Sequence, residues 1–315
     1  MRIRGLLGAL LIAALAVAVA ACGGGGNDNT GTSANTSAAA TKPGAGKPPV
    51  TLGAKNFTEQ FVLAQLYKQA LEAKGFTVKL KNNIGSTEII DKGLTSGQID
   101  FYPEYVGVGL TAVAHDDKSY PSAQAAYDAF KKFQEGRGFT LLEQTPFSNV
   151  DAIAVKPAFA KQHNLSAVPD LKGVGSFTIG APPEFRTRFT GLVGMKKVYG
   201  ITEAKLKPLT IGLQYKALDN GEVDAADVFT TDGQLQKGNY VVLKDPKNIF
   251  GFQHIAPIVN KKTLDQQGPE FAQTINAVSA KLTTEAMQKM NGAVDLDKQS
   301  PASVAKTFLQ ANGLT

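Results

Sequence analysis

The sequence predicts an α/β protein built as two similar lobes, and three observations lead there. LTSGQIDFYPEY (94–105) and LDNGEVDAADVF (218–229) follow one plan, with Leu94, Gly97, Asp100 and Tyr105 in step with Leu218, Gly221, Asp224 and Phe229. VTLGA (50–54) and FTIGA (177–181) share Thr-x-Gly-Ala in one register, and Thr51 precedes Leu94 by a span similar to that from Thr178 to Leu218. Around both pairs the pattern runs strand, helix, strand, helix, strand, the signature of a parallel sheet with helical crossovers. Matched elements in the same order argue for an internal repeat, each copy sending an aromatic side chain toward one shared cleft.

In the first lobe VTLGA is a short β-branched strand and KNFTEQ turns the chain. Phe61, Leu63, Ala64, Leu66, Tyr67, Ala70 and Leu71 recur at helical spacing, with Thr58 as candidate N-cap and Gly75 as terminator. FTVKL (76–80) reads as the second strand. Ser86 or Thr87 can cap a helix through Ile89, Ile90 and Leu94, which Gly97 stops, and QIDFY is the third strand. The second lobe repeats the order: FTIGA, PPEFRTR, a helical stretch toward Val198, a strand around Pro208–Ile211, a helix over 213–219, then EVDAADVF. The last third, from Asn260 to Thr315, is helical and rich in Ala, Gln and Lys; its apolar residues are expected to pack back on the first lobe. The chain then crosses between lobes twice, near Asn149–Val155 and near Phe252–Val259. The expected organisation is 1–22 leader, 23–49 linker, 50–148 with 256–315 as a discontinuous first lobe, and 149–255 as the second.

The leader reading rests on Arg2 and Arg4 before LLGALLIAALAVAVA, a charged n-region and an apolar h-region that ends at small residues, as in secretory signals. The closing VAAC looks like a bacterial lipobox, with Cys22 the lipidated residue. Cys22 is the only cysteine, so no disulfide forms within the chain despite the expected export. The following Gly/Ser/Thr/Ala/Pro-rich segment has too few bulky apolar groups to offset ordering entropy, which makes it a flexible tether. Anchor, tether and body together imply an extracytoplasmic chain held at the cell membrane by lipid.

Composition narrows the function. The net charge is +6, the excess is dispersed, and no basic run with interleaved aromatics marks a nucleic-acid surface. The sequence holds no GxSxG elbow, GxxxxGK[ST] loop or HExxH helix, and His115, His163 and His254 show no metal-ligand spacing. GVGLTA (107–112) matches only a loose GxGxxA, too short to establish a dinucleotide site. Binding, without enzymatic activity, cofactor or metal, is the expected class. In open α/β sheets ligands gather beyond the carboxyl ends of the strands. That points to KNF, PEY, PPEFRTR and FTTDG.

VTLGAKNFTEQ, QIDFYPEY, APPEFRTRFTGLVGMKKVYG, IGLQYKALDNGEVDA and FTTDGQ together resemble the glycine betaine/carnitine/choline/proline-type substrate-binding proteins of osmoprotectant ABC importers, over roughly 50–315. The resemblance implies a periplasmic-binding-protein fold with two hinge crossings, and permease and ATPase subunits as partners of a monomeric binder. It also implies a quaternary ammonium held by rings, with the ligand's carboxylate held by basic side chains. A methylated ammonium donates no N–H, so ring faces replace water around it.

Carried over residue by residue, Tyr105 stands at the first cage position, and Lys55 and Arg188 at the basic ones. Arg186 remains an equal candidate, because two residues on irregular backbone leave the facing open. Other ring positions fall on Asp151, Phe229 and Gln253, so the expected site has two rings, one carboxylate and one amide. Asn149 completes the expected ligand set, and Phe57, Val108, Arg186, Thr230 and Phe252 form a second rank. Asp151 either balances a cation or belongs to the hinge. An amino acid, a polyamine or another cationic metabolite on the same fold, or a membrane-tethered sensor, stays open as an alternative.

Overall fold

The computed structural model describes residues 41–315. The leader, Cys22 and the tether to residue 40 lie outside the described residues. In chain order the structure forms β1 (Val50–Gly53), α1 (Thr58–Ala73), β2 (Val78–Lys81), α2 (Thr87–Thr95), β3 (Phe101–Tyr105), a single turn α3 (Val106–Val108), α4 (Ala123–Glu135) and β4 (Phe139–Leu141). Next come β5 (Asp151–Val155), α5 (Pro157–His163), β6 (Phe177–Ala181), α6 (Gly194–Tyr199), β7 (Ala204–Pro208), α7 (Gln214–Asp219), β8 (Ala225–Phe229) and β9 (Val241–Val242). The chain closes with β10 (Ile255–Asn260), α8 (Lys261–Gln267), α9 (Pro269–Ser279), α10 (Thr284–Asp295) and α11 (Pro301–Ala311). Among the described residues no helix is long and apolar enough to cross a membrane.

These strands make two five-stranded sheets, ordered β2-β1-β3-β10-β4 and β7-β6-β8-β5-β9. Each has a parallel trio followed by an antiparallel fourth strand. The topology is therefore used twice, with β10 standing in the first sheet where β5 stands in the second. Consecutive strands β4 and β5 belong to different sheets, as do β9 and β10.

The repeat has a physical basis. Gly97 and Gly221 take φ of +72° and +69°, a left-handed turn that favours glycine. Three residues on, Asp100 Oδ2 accepts from the Thr51 N–H at 2.6 Å and Asp224 Oδ2 from the Thr178 N–H at 2.8 Å. Each aspartate returns its own N–H to the same threonine's carbonyl, at 2.8 and 2.9 Å. The shared plan thus turns the chain and clamps the third strand to the first, which brings Tyr105 and Phe229 to equivalent strand ends.

Each sheet is covered on both faces. One face of the first packs Leu52, Phe101 and Val259 under α1, and the other packs Tyr102, Ala256 and Ile258 against Phe130 of α4. The C-terminal helices join the α1 side, where Phe271, Ile275, Met287 and Leu309 share a core with Leu63 and Leu66. Just before β1 the backbone is fastened to the body. The Gly44 N–H donates to the Lys74 carbonyl at 2.9 Å, and Gln267 Nε2 donates to the Pro48 carbonyl at 2.9 Å. A Cβ at Gly44 would stand 2.2 Å from the Phe76 nitrogen, so only glycine fits that approach.

Two local expectations need correction. The strand expected around Pro208–Ile211 is β7, at Ala204–Pro208. It is a half-exposed edge strand carrying Lys205 and Lys207, a polarity that hides edge strands from hydrophobic patterning. Thr58 is not the cap of α1: Phe57 holds that position, and the Thr58 hydroxyl instead donates to Asp295 at 2.6 Å.

Candidate functional site

A cavity of about 50 Å³ opens where the carboxyl ends of β1, β3, β6 and β8 meet. Lys55 and Phe57 reach it from the turn after β1, Ser86 and Thr87 from the start of α2, and Tyr105 and Val108 from the end of β3 and from α3. Across from them stand Pro182, Glu184, Phe185, Arg188 and Thr190 after β6, with Asp227 and Phe229 from β8. Asn149 and Asp151 complete the wall at the start of β5. Three rings line up: Phe57 lies 6.0 Å from Tyr105 at 30° and 6.1 Å from Phe229 at 11°, centroid to centroid. Phe57, placed in the second rank by sequence, is thus the ring that joins the other two.

Both basic groups already have acidic partners. Lys55 Nζ contacts Glu104 and donates to the Thr87 hydroxyl at 2.7 Å, while lying 4.6 Å from the Tyr105 ring centroid. Burial pushes its pKa down against the opposing pull of Glu104. Arg188 forks onto Glu88, with Nε to Oε1 at 3.1 Å and Nη2 to Oε2 at 2.9 Å, and Glu184 stands 3.9 Å away. Burial works to raise the Glu88 carboxyl, but the Arg188 hydrogen bonds and charge outweigh it and hold it at about 2. This fork links α2, beside the first sheet, to the segment after β6 of the second.

Asp151 faces two neighbours fixed by strand register. β5 and β8 pair antiparallel with Asp151 opposite Phe229 and Ile153 opposite Asp227. Side chains two apart share a face, so Asp227 sits diagonal to Asp151 on the face that carries the Phe229 ring. Burial raises Asp151 to about 6 against the opposing Arg188 charge. Burial, then the Asp151 charge, pushes Asp227 well above the carboxylate range.

Glu59, in the first turn of α1, gathers the surrounding segments. Only 3 % exposed, it accepts from the Tyr105 hydroxyl at 2.8 Å, Asn149 Nδ2 at 2.9 Å, the Thr231 hydroxyl at 2.5 Å and Asn291 Nδ2 at 2.9 Å. Burial raises its pKa despite these four donors. The Tyr105 hydroxyl is therefore committed to Glu59, and the ring is what Tyr105 offers the cavity.

Four sequence-based candidates lie elsewhere. Arg186 is exposed and does not line the cavity, because the buried Phe185 turns its neighbour outward. Gln253 is fully buried away from the cavity, accepting from the Val108 N–H at 3.0 Å and donating to the Phe250 carbonyl at 2.5 Å. Phe252 lines a separate cavity with Phe189 and Ile249. The Thr230 hydroxyl is spent on the backbone, accepting from the Val150 N–H at 2.9 Å and donating to the Ser148 carbonyl at 3.2 Å. Asp227, Glu59 and Glu88 were not singled out in the sequence, and Glu104 entered only as the middle residue of PEY; for Asp227 the sequence holds a trace, its place two residues before the repeat's aromatic.

A cleft of rings and charged groups between two like sheets defines a solute-binding protein of the periplasmic-binding type. Residues 48–311 match the model of the substrate binding domain of ABC-type glycine betaine transport systems, and the chain belongs to that family. A glycine-betaine-binding protein of Pseudomonas aeruginosa is 35 % identical over 84 % of this chain and 88 % of its own length. The carnitine transport binding protein OpuCC of Listeria monocytogenes is 30 % identical over 85 % of this chain and 88 % of its own. A solved glycine betaine/carnitine/choline ABC transporter structure superposes with a TM-score of 0.68 at 28 % identity, covering 84 % of this chain and 99 % of that one. The chain is an extracytoplasmic solute-binding component of an ABC importer, a binder by family.

Proposed function

We propose that the protein captures a quaternary-ammonium osmoprotectant, such as glycine betaine or choline, between its two sheets and delivers it to the permease. The Phe57–Tyr105–Phe229 ring series is the observation that carries this reading. A cation against desolvated rings gains about 2 kcal/mol per contact, and micromolar binding requires about 8 kcal/mol, so three rings and the charged walls suffice. The names of the relatives, which bind glycine betaine and carnitine, support the same class.

In this reading residues 50–148 with 256–315 form one lobe and 149–255 the other. The β4–β5 and β9–β10 passages are two hinge crossings, with Asn149, Gln253 and Thr230 as their hydrogen-bonded joints. The cavity of about 50 Å³ is small beside the about 150 Å³ cavity that admits benzene, so the lobes part to admit ligand and close over it. Lys55 and Arg188 face the ligand as members of ion pairs. Lipidation at Cys22 tethers a monomer beside the permease.

Isothermal titration against glycine betaine, choline, carnitine, proline, amino acids and polyamines tests the reading. Micromolar affinity confined to methylated ammonium compounds is expected. Binding only by primary amines or amino acids would transfer the site to the Asp151 carboxyl as an N–H acceptor and overturn the ring assignment.

A further inference from the structure

The acid pair in the cavity is where the internal repeat breaks. In the first sheet the residue opposite Tyr105 is Ile255, and the residue two before Tyr105 is Pro103. In the second sheet the same register holds Asp151 and Asp227. The fold is thus made once with apolar groups and once with two carboxyls side by side, an arrangement that costs stability because like charges cannot both ionise in a dry site.

No described Lys or Arg hydrogen-bonds either acid, and no donor reaches Asp227 Oδ1, on a residue 1 % exposed. The charged groups facing the pair are accounted for. Arg188 is spent on Glu88 with Glu184 beside it, and Lys55 is spent on Glu104. Asp232 lies behind Phe229, held by the Tyr215 hydroxyl at 2.7 Å and the Phe229 N–H at 3.0 Å. The cavity therefore has an acid pair without a cation and no basic group without an anion.

We propose that on the acid side of neutrality Asp151 and Asp227 both carry protons in the ligand-free cavity, and that the pair releases one to solvent as a positive head group seats against Phe229. Ligand capture is then proton-coupled, and the site favours a cation over a ligand that brings its own carboxylate. The inference rests on the quaternary-ammonium reading and makes Asp227 a determinant of ligand charge. The sign follows from linkage: a cation beside the pair favours its ionised form, so affinity rises with pH through the window where Asp151, at about 6, loses its proton.

The experiment is calorimetry with choline and with glycine betaine, neither of which titrates between pH 5 and 7, in two buffers of different ionisation enthalpy. Choline affinity is expected to rise about tenfold from pH 5 to pH 7, with about half a proton released per ligand at pH 6, and to exceed that for glycine betaine. Asp151→Asn, nearly isosteric, should weaken choline binding and reduce the pH effect to less than about twofold, while retaining Asp232 as the background titration. Choline binding with pH-independent affinity and buffer-independent enthalpy overturns the role of the pair alone and leaves the functional reading standing. Glycine betaine binding more tightly than choline overturns the charge preference. Absence of binding by either compound at any pH overturns the ligand class, and the acid pair's role with it.

Discussion

At the scale of single residues, what could be read in the sequence and what could not divide by the distance over which each side chain acts. Tyr105 and Phe229 were legible because a local device, a left-handed glycine and an aspartate clamp, sets each at the end of its own strand. Asp227 was not, because AADVF reads as an ordinary buried strand until β5 is laid against it in register. Arg188 was told from Arg186 only by the fold, which buries Phe185, leaves Arg186 exposed and sets Arg188 in the cavity wall. Phe57 stood only in the second rank of candidates, yet it is the ring both other rings share. Removing it should separate them. Phe57→Ala is expected to weaken binding of a quaternary ammonium by about 10- to 30-fold, one desolvated ring contact of about 2 kcal/mol, and Phe57→Tyr by little. Titration calorimetry of both variants checks this, and an alanine variant of unchanged affinity would exclude Phe57 from the ring series.

At the scale of elements, helices with a clear apolar stripe were readable, as α1 and α2 show, whereas β7 was displaced because its lysines serve an exposed edge. The sequence showed no partner for α2 across the cleft. Glu88 in its first turn bridges to Arg188 by a two-pronged ion pair, and that contact joins elements 100 residues apart. Such forks outperform single surface pairs, but Glu88 is partly exposed, so the discounted contribution is about 1 kcal/mol. Glu88→Gln should then shift the ligand-free balance toward the open form by about fivefold. Small-angle scattering or a dye pair across the cleft reads this as expansion without ligand, with saturating ligand restoring the closed form. Acid should mimic the substitution: the Glu88 carboxyl, held at about 2, supports the bridge at neutral pH, and protonation as the pH falls toward that value releases it. A variant as compact as the parent without ligand would show that the fork does not hold the cleft.

At the scale of the whole molecule, the interior carries several acids whose burial favours the protonated form. Asp151 rises to about 6 and Asp232 to about 7, Asp227 rises well above the carboxylate range, and Glu59 rises despite four hydrogen bonds. For each, the folded state binds a proton that the unfolded chain has already lost above pH 5, so folding stability must fall as pH rises through this window. Carboxyls held low, such as Glu88 and Asp170, are ionised in both states above pH 5 and do not oppose the trend. Lys55, depressed by burial, acts in the opposite sense from the alkaline side. The ligand-free protein is therefore expected to melt at a higher temperature at pH 5 than at pH 7.5, by about 2–4 °C for each kcal/mol of difference at this chain size. Differential scanning calorimetry at constant ionic strength measures it. A saturating cationic ligand should shrink the slope, because the ionised pair then has its counter-charge. A melting temperature that climbs from pH 5 to pH 7.5 without ligand would mean that these acids ionise inside the fold without penalty. The cleft would then be a solvated channel instead of the dry, proton-holding junction that Glu59, Asp151 and Asp227 describe.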